Sequence, residues 1–298
     1  MKKFIPFSLC FPKAFLGLAA MLVLFSCRPE PLFISVPQLE SKIVVSSQVI
    51  PPNVLLISLS QSFSALQNVE DDSTGDILNQ IILKNAAVSL SYDGKEDSLI
   101  EIDNGFYIGV DIEAIVGSTY QLKVSDSLGR SVSAQTVLLP EVTFDSIQPV
   151  VERLPEDTIV RIQYSLSDQS GANWYMINYY SNVSNEDSSF TVGNILGQGN
   201  PEGYLGTDLI SDQEFAPDGT FRNERVFFNL DEDSAVVAIS IANISEEYYN
   251  YLILRERAGN IFSQIISEPI NYPTNVDGGL GFFTLHYPSF RFFAIRDY

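Results

Sequence analysis

Histidine occurs once in the 298 residues, tryptophan once and cysteine twice. A lone histidine, His286, is too few for a zinc site built on imidazoles. It also leaves a Ser-His-Asp hydrolase only one base to use, and no nucleophile elbow accompanies it. His286 sits beside Tyr287 in an aromatic segment and reads as a structural residue. Cys10 and Cys27 cannot make a disulfide framework at this count and position. Lysine and arginine number 17 against 37 acidic residues, a formal net charge of -20. Nonspecific nucleic-acid binding needs the opposite sign, and anionic lipid surfaces repel such a chain. A phosphate loop is missing as well, because no Gly-rich run leads into Lys-Ser or Lys-Thr. Oxygen-only calcium sites survive these counts. Asp71-Asp72-Ser73-Thr74-Gly75-Asp76 resembles half an EF-hand loop without its closing glutamate, and Asp231-Glu232-Asp233 is a second cluster. Both read first as solvated turns. No catalytic set, metal or cofactor is expected, and the chain reads as noncatalytic.

Long uninterrupted apolar runs are also scarce. The stretch from Phe4 to Phe25 is broken by Pro6 and Pro12, which leaves too short a core for a comfortable membrane span. Lys2 and Lys3 precede it, and Ser26 and Cys27 follow it. A basic start, an apolar stretch and a small residue at the cut define a secretory signal. The thiol directly after the small residue makes Leu24-Phe25-Ser26-Cys27 a lipobox. The reading is a signal peptide over 1–26 and a diacylglycerol thioether on Cys27. A thioether lipid with an N-acyl chain satisfies the two-signal requirement for stable anchoring. Residues 27–40, with Pro29, Pro31 and Pro37, read as an extended tether. Arg28 and Glu30 form a weak version of the acidic tag that directs such proteins to the cell surface.

What the chain does have is short alternating segments rich in Val, Ile, Tyr and Phe. Candidate strands are 42–50, 54–60, 87–92, 98–102, 106–110, 119–125 and 131–138. Asp93-Gly94, Asn104-Gly105 and Leu128-Gly129 supply turns between them. This density predicts a mainly all-β protein. An immunoglobulin- or transthyretin-like β-sandwich is expected over 41–140, then a second β-rich domain over 141–298. In the second part, strands are expected at 160–166, 174–180, 189–192, 225–230 and 235–242, with terminal strands at 281–287 and 290–295. The stretch 193–221 shows little periodicity. Ser245-Glu246-Glu247 caps and charges a helix near 245–258, ending before Gly259. A shorter helix is expected at 77–83.

The ending Thr274-Asn275-Val276-Asp277-Gly278-Gly279-Leu280-Gly281-Phe282-Phe283 is the most specific motif. With it come Lys42-Ile43-Val44-Val45-Ser46-Ser47, Asn85-Ala86-Ala87-Val88-Ser89-Leu90, Gly105-Phe106-Tyr107 and Ser267-Glu268-Pro269-Ile270. Together they resemble the domain of unknown function 4249 family, lipoproteins of the Bacteroidota. The family usually has serine where Thr274 stands. Its members are often encoded beside TonB-dependent outer-membrane receptors. The resemblance therefore implies an accessory or substrate-binding partner of such a receptor, in nutrient uptake, on the cell-surface face of the outer membrane. It brings no catalytic residues.

Candidate contact positions follow from loop placement on a rigid scaffold. They are Tyr204 and Phe215 in the stretch 197–221, and Asp277, Gly278 and Gly279 in the terminal turn. That turn also reads simply as a structural link into a hairpin. Trp174, Tyr175, Tyr179 and Tyr180 read as core or as an aromatic platform. Asp-Ser/Thr-x triplets place Ser73, Ser98, Ser127, Ser146, Thr158 and Ser234 in a pattern similar to the O-glycosylation motif of exported Bacteroidota proteins. Turn composition explains the same triplets. Two other functional readings stay open: a structural or adhesive surface protein, and a carboxylate-dependent hydrolase.

Overall fold

The run Thr119-Tyr120-Gln121-Leu122-Lys123-Val124-Ser125 alternates polar and apolar residues. In the computed structural model it is a strand that buries every second side chain. The structure describes residues 40–50, 54–62, 81–103, 105–155, 157–181, 204–228, 230, 235–258 and 272–298. The described strands of the first half are β1 (Ile43–Ile50), β2 (Val54–Gln61), β3 (Ala87–Tyr92), β4 (Lys95–Asp103), β5 (Phe106–Gly109), β6 (Thr119–Ser125) and β7 (Ser131–Val137). Then come β8 (Ser146–Arg153), β9 (Thr158–Ser167), β10 (Trp174–Tyr180), β11 (Tyr204–Ser211), β12 (Thr220–Phe227) and β13 (Val236–Ile244). Helix α1 (Glu246–Ala258), β14 (Val276–Asp277), β15 (Leu280–Phe282) and β16 (Ser289–Ala294) complete them. The protein is mainly all-β.

Nine strands hydrogen-bond in the order β14-β7-β6-β3-β4-β5-β2-β1-β15. Strand β4 serves two partners in turn: Lys95–Leu99 pair with β3, and beyond Leu99 the strand pairs with β5. The two end strands of this row are neighbours in sequence. Val276 and Asp277 pair antiparallel with Ala134 and Ser133 of β7. Leu280, Gly281 and Phe282 run parallel to Val44, Val45 and Ser46 of β1. Only Gly278 and Gly279 separate them, so the two ends of the row lie within about 11 Å of each other. The row of strands closes on itself around a core that includes Ile57, Leu90, Tyr107, Tyr120 and Phe283.

Closure depends on missing side chains. A Cβ on Gly279 would stand 2.7 Å from the Ile43 carbonyl oxygen of β1 and 3.0 Å from Val132 Cγ1 of β7. A Cβ on Gly281, where φ is +87°, would lie 2.0 Å from the Val45 carbonyl oxygen. Asn275 holds the turn from the other side. Its Nδ2 donates to the carbonyls of Phe283 (2.6 Å) and Gln135 (3.0 Å), and its Oδ1 accepts from the Phe283 N–H at 2.9 Å. Thr274 Oγ1 accepts from the Val276 N–H, a bond that any hydroxyl at this position supplies.

The second half packs a three-stranded sheet, β12-β9-β8, and a four-stranded sheet, β11-β10-β13-β16, around one core. Val160, Ile162 and Tyr164 come from the first sheet; Tyr175, Ile177, Val237 and Ile239 come from the second. Helix α1 covers the opposite face of the four-stranded sheet, where Leu252 packs with Met176, Ala242 and Ile244. Ser245 Oγ accepts from the Tyr248 N–H at 3.2 Å, the expected N-cap.

The two halves share a wall. Phe283, Leu285 and Tyr287 pack into the first core. From the same segment, Phe282 and His286 pack at a tilt on Tyr248 of α1, with ring centroids 5.2 and 5.9 Å away. Alternate side chains of this segment thus face opposite ways, and both faces are largely buried. The chain expected to form the second domain thus returns to the first. Residues 276–287 belong to the first half's sheet and core, and residues 40–298 form one compact unit. Two other expectations change. The stretch 193–221 contains a full edge strand, β11, whose Gly206 and Asp208 hide its strand character. Strand β8 was not expected, because Pro149 and its half-exposed pattern mask it. The expected signal, most of the tether, the strand at 189–192 and most of the helix at 77–83 lie outside the described residues.

Gly281→Ala is expected to cost about 3 kcal/mol or more, since both the Val45 backbone and the positive φ oppose a side chain. Gly129→Ala, at a positive φ with open space around it, should cost only about 1–2 kcal/mol. Urea unfolding of both variants checks the contrast.

Candidate functional site

The expected contact residues fall in different surroundings. Gly279 is buried between β1 and β7, while Asp277 and Gly278 are exposed at the turn. Tyr204 is half-buried at the start of β11, its ring 5.9 Å from Tyr180 and its hydroxyl 2.6 Å from Thr207 Oγ1. Phe215 packs on Tyr175 and Phe221, each at 5.9 Å, and lines the second core. Tyr175, Tyr179 and Tyr180 are buried, so they form core rather than an open platform.

Ser98, Ser127 and Ser146 are exposed, whereas Thr158 is buried. Cys27, Ser73, Ser234 and both acidic clusters lie outside the described residues. Asp126, which precedes Ser127, has an internal task. It accepts from Arg130 Nε at 2.6 Å and from the N–H groups of Leu128 and Arg130. Arg130 in turn donates to the Ser41 carbonyl and to Gln61 Oε1, both at 3.0 Å. Burial opposes charge on Asp126, but the hydrogen bonds and charge of Arg130 outweigh it and hold the carboxyl below its ordinary pKa.

His286 is buried against Tyr248, and its Nδ1 has no hydrogen-bond partner. Burial pushes its pKa down to about 4. A shielded imidazole of this kind is placed for packing, not for taking a proton from a substrate.

A polar constellation that sequence reading did not single out lies where edge strands β11 and β12 end their two sheets. Along β12, Phe221, Asn223, Arg225 and Phe227 occupy one face by their two-residue period, and both phenylalanines join the second core. On this face Arg225 is half-buried, whereas Asn223 is exposed. Arg225 Cζ lies 4.6 Å from the ring centroid of Tyr179. The Tyr179 hydroxyl donates to Asp208 Oδ2 at 2.5 Å, which leaves its oxygen to accept from the Tyr164 hydroxyl at 2.6 Å. Burial, then Tyr164 and Asp208, push the Tyr179 pKa far up, so the phenol stays protonated. Arg225 Nε is buried without an acceptor, the only cationic group so placed among the described residues. No ion pair or hydrogen bond from its guanidinium is found among them either. The signal was the polar pair inside Phe221-x-Asn223-x-Arg225-x-Phe227.

The family model described as domain of unknown function (DUF4249) matches residues 29–287. The chain belongs to this family. The match takes in the closing turn of the DUF4249 chain and the Arg225 seam. Comparison with curated proteins finds no match.

The pH dependence of stability follows from His286. The unfolded imidazole, with a pKa near 6.5, takes up a proton before the folded one does as pH falls. Stability present above about pH 6.5 is therefore lost toward pH 4, at up to about 1.4 kcal/mol per unit from this group. His286→Phe should flatten the slope of unfolding free energy between these pH values relative to wild type. Equal slopes in urea titrations would remove His286 as the cause.

Proposed function

We propose that this protein is a noncatalytic, lipid-anchored binding protein of the outer membrane, held through Cys27 and facing the cell exterior. There it serves as an accessory or substrate-binding partner of a TonB-dependent nutrient receptor. The lipobox at Leu24-Phe25-Ser26-Cys27 supports the anchor. The family resemblance supports the receptor link. Strand β1, the first after the tether, is paired on both sides, by β2 and β15. Tension from a lipid anchor would thus enter at an interior strand, which resists peeling better than an edge.

The observation that carries the binding part is Arg225. Its guanidinium stands at a half-buried seam, and its buried Nε has no hydrogen-bond acceptor among the described residues. Native structures seldom leave buried donors unpaired without a purpose, since each costs about 1–3 kcal/mol.

Labelled palmitate should be incorporated by the wild-type chain and not by Cys27→Ala, which should also leave the outer-membrane fraction. Continued labelling of the variant would refute the anchor. Crosslinking and affinity capture from the native membrane should return a TonB-dependent receptor near equal stoichiometry. Capture without any receptor would end the accessory role.

A further inference from the structure

We propose that Arg130 is a mechanical clamp, which passes tension on the lipid anchor into the nine-stranded row before that tension can peel β1. This rests on the anchored reading above and adds how the fold withstands a pull from that side. The chain enters β1 through Glu40, Ser41 and Lys42, and the first rung of the ladder sets Ile43 against Gln61. A knot of hydrogen bonds lies ahead of that rung. Arg130 Nη1 donates to the Ser41 carbonyl at 3.0 Å and to Ser41 Oγ at 3.2 Å, while Nη2 donates to Gln61 Oε1 at 3.0 Å. Ser41 Oγ in turn donates to the Ser62 carbonyl at 2.7 Å, and the Lys42 N–H donates to Ser62 Oγ at 2.9 Å. From Nε the same guanidinium donates to Asp126 Oδ2 at 2.6 Å.

Asp126 directly follows β6 and Arg130 directly precedes β7. Tension arriving at Ser41 is thus shared with the β6–β7 hairpin as well as with β2. Without the guanidinium it would fall on the Ile43 rung first, and then on each later rung in turn. The clamp is also shielded from water. The Asp126 side chain is 1% exposed and that of Arg130 25%, whereas both partners in each other described ion pair are at least 36% exposed. Exposed pairs hold weakly, but a shielded charge-assisted bond keeps its strength. An arginine that only closed the β6–β7 turn could end at Asp126. This one directs both of its remaining nitrogens to the residues where the chain enters β1 and leaves β2.

Single-molecule unfolding at fixed tension tests the clamp. The chain from Cys27 to Tyr298 is made without its signal, so that the Cys27 thiol takes one handle; the second handle is joined after Tyr298. Arg130→Lys keeps the charge beside Asp126 and loses the fork. Pulled from Cys27, it should unfold about tenfold faster than wild type, the loss expected when hydrogen bonds of a charged group are removed. Ser41→Ala removes the hydroxyl bonds and buries no charge. It should shift the rate the same way by less, and it decides the question if Arg130→Lys does not fold. The first handle is then moved to the exposed Gln169, between β9 and β10, by Gln169→Cys with Cys27→Ser. In that geometry Arg130→Lys and its parent should unfold alike. Equal rates for wild type and both variants under tension from Cys27 overturn the proposal. An equal acceleration in both geometries overturns it too, because it marks a general loss of stability. Palmitate labelling is scored separately, so an unlabelled Cys27 would remove the anchor while the response to tension stands as measured.

Discussion

Everything in the first half depends on the chain passing between β1 and β7 with no side chain in the way. At Gly279 the Ile43 carbonyl and the Val132 methyl occupy the space a Cβ would need, and at Gly281 the Val45 backbone does. An alanine at either place would push apart strands that are otherwise joined by hydrogen bonds on both sides. The closing turn is therefore a steric constraint first and a conformational one second. Asn275 adds the complementary attraction, using both ends of its amide on the Phe283 backbone. The same turn brings the two end strands of the nine-stranded row, β14 and β15, side by side.

The same terminal segment makes the two halves interdependent. Its alternating side chains enter the first core on one face and meet Tyr248 and Tyr251 of α1 on the other. A few residues later β16 pairs with β13, and Phe293 and Ile295 enter the second core. Roughly twenty residues thus supply strands or core to every layer. Burying both faces has a consequence for His286, which sits where no solvent or acceptor reaches Nδ1 and so stays neutral.

Much of this was legible in the sequence. Strands with clean alternation, such as Thr119–Ser125 and Ala87–Tyr92, and the Ser245-capped helix could be placed from pattern alone. The closing motif was also visible as a motif. What it joins was not, because the pairing of Leu280 with Val44 spans most of the chain and leaves no local trace. Edge strands were the weak point. Strand β11 carries Gly206 and Asp208, and β8 carries Pro149, each a residue that local propensity assigns to turns. The Arg225 seam escaped for a related reason. Arg225 of β12 looks like an ordinary surface residue until the register shows Phe221 and Phe227 on the same face.

If the terminal segment is what unites the body, then neither half should open without the other. Native-state hydrogen exchange under increasing denaturant measures this directly. The account predicts that amides of Val44–Val49 in β1 and of Val237–Ile241 in β13 converge on one opening free energy, equal to that of global unfolding. Exchange of β1 through a separate, lower-energy opening while β13 stays protected would contradict it.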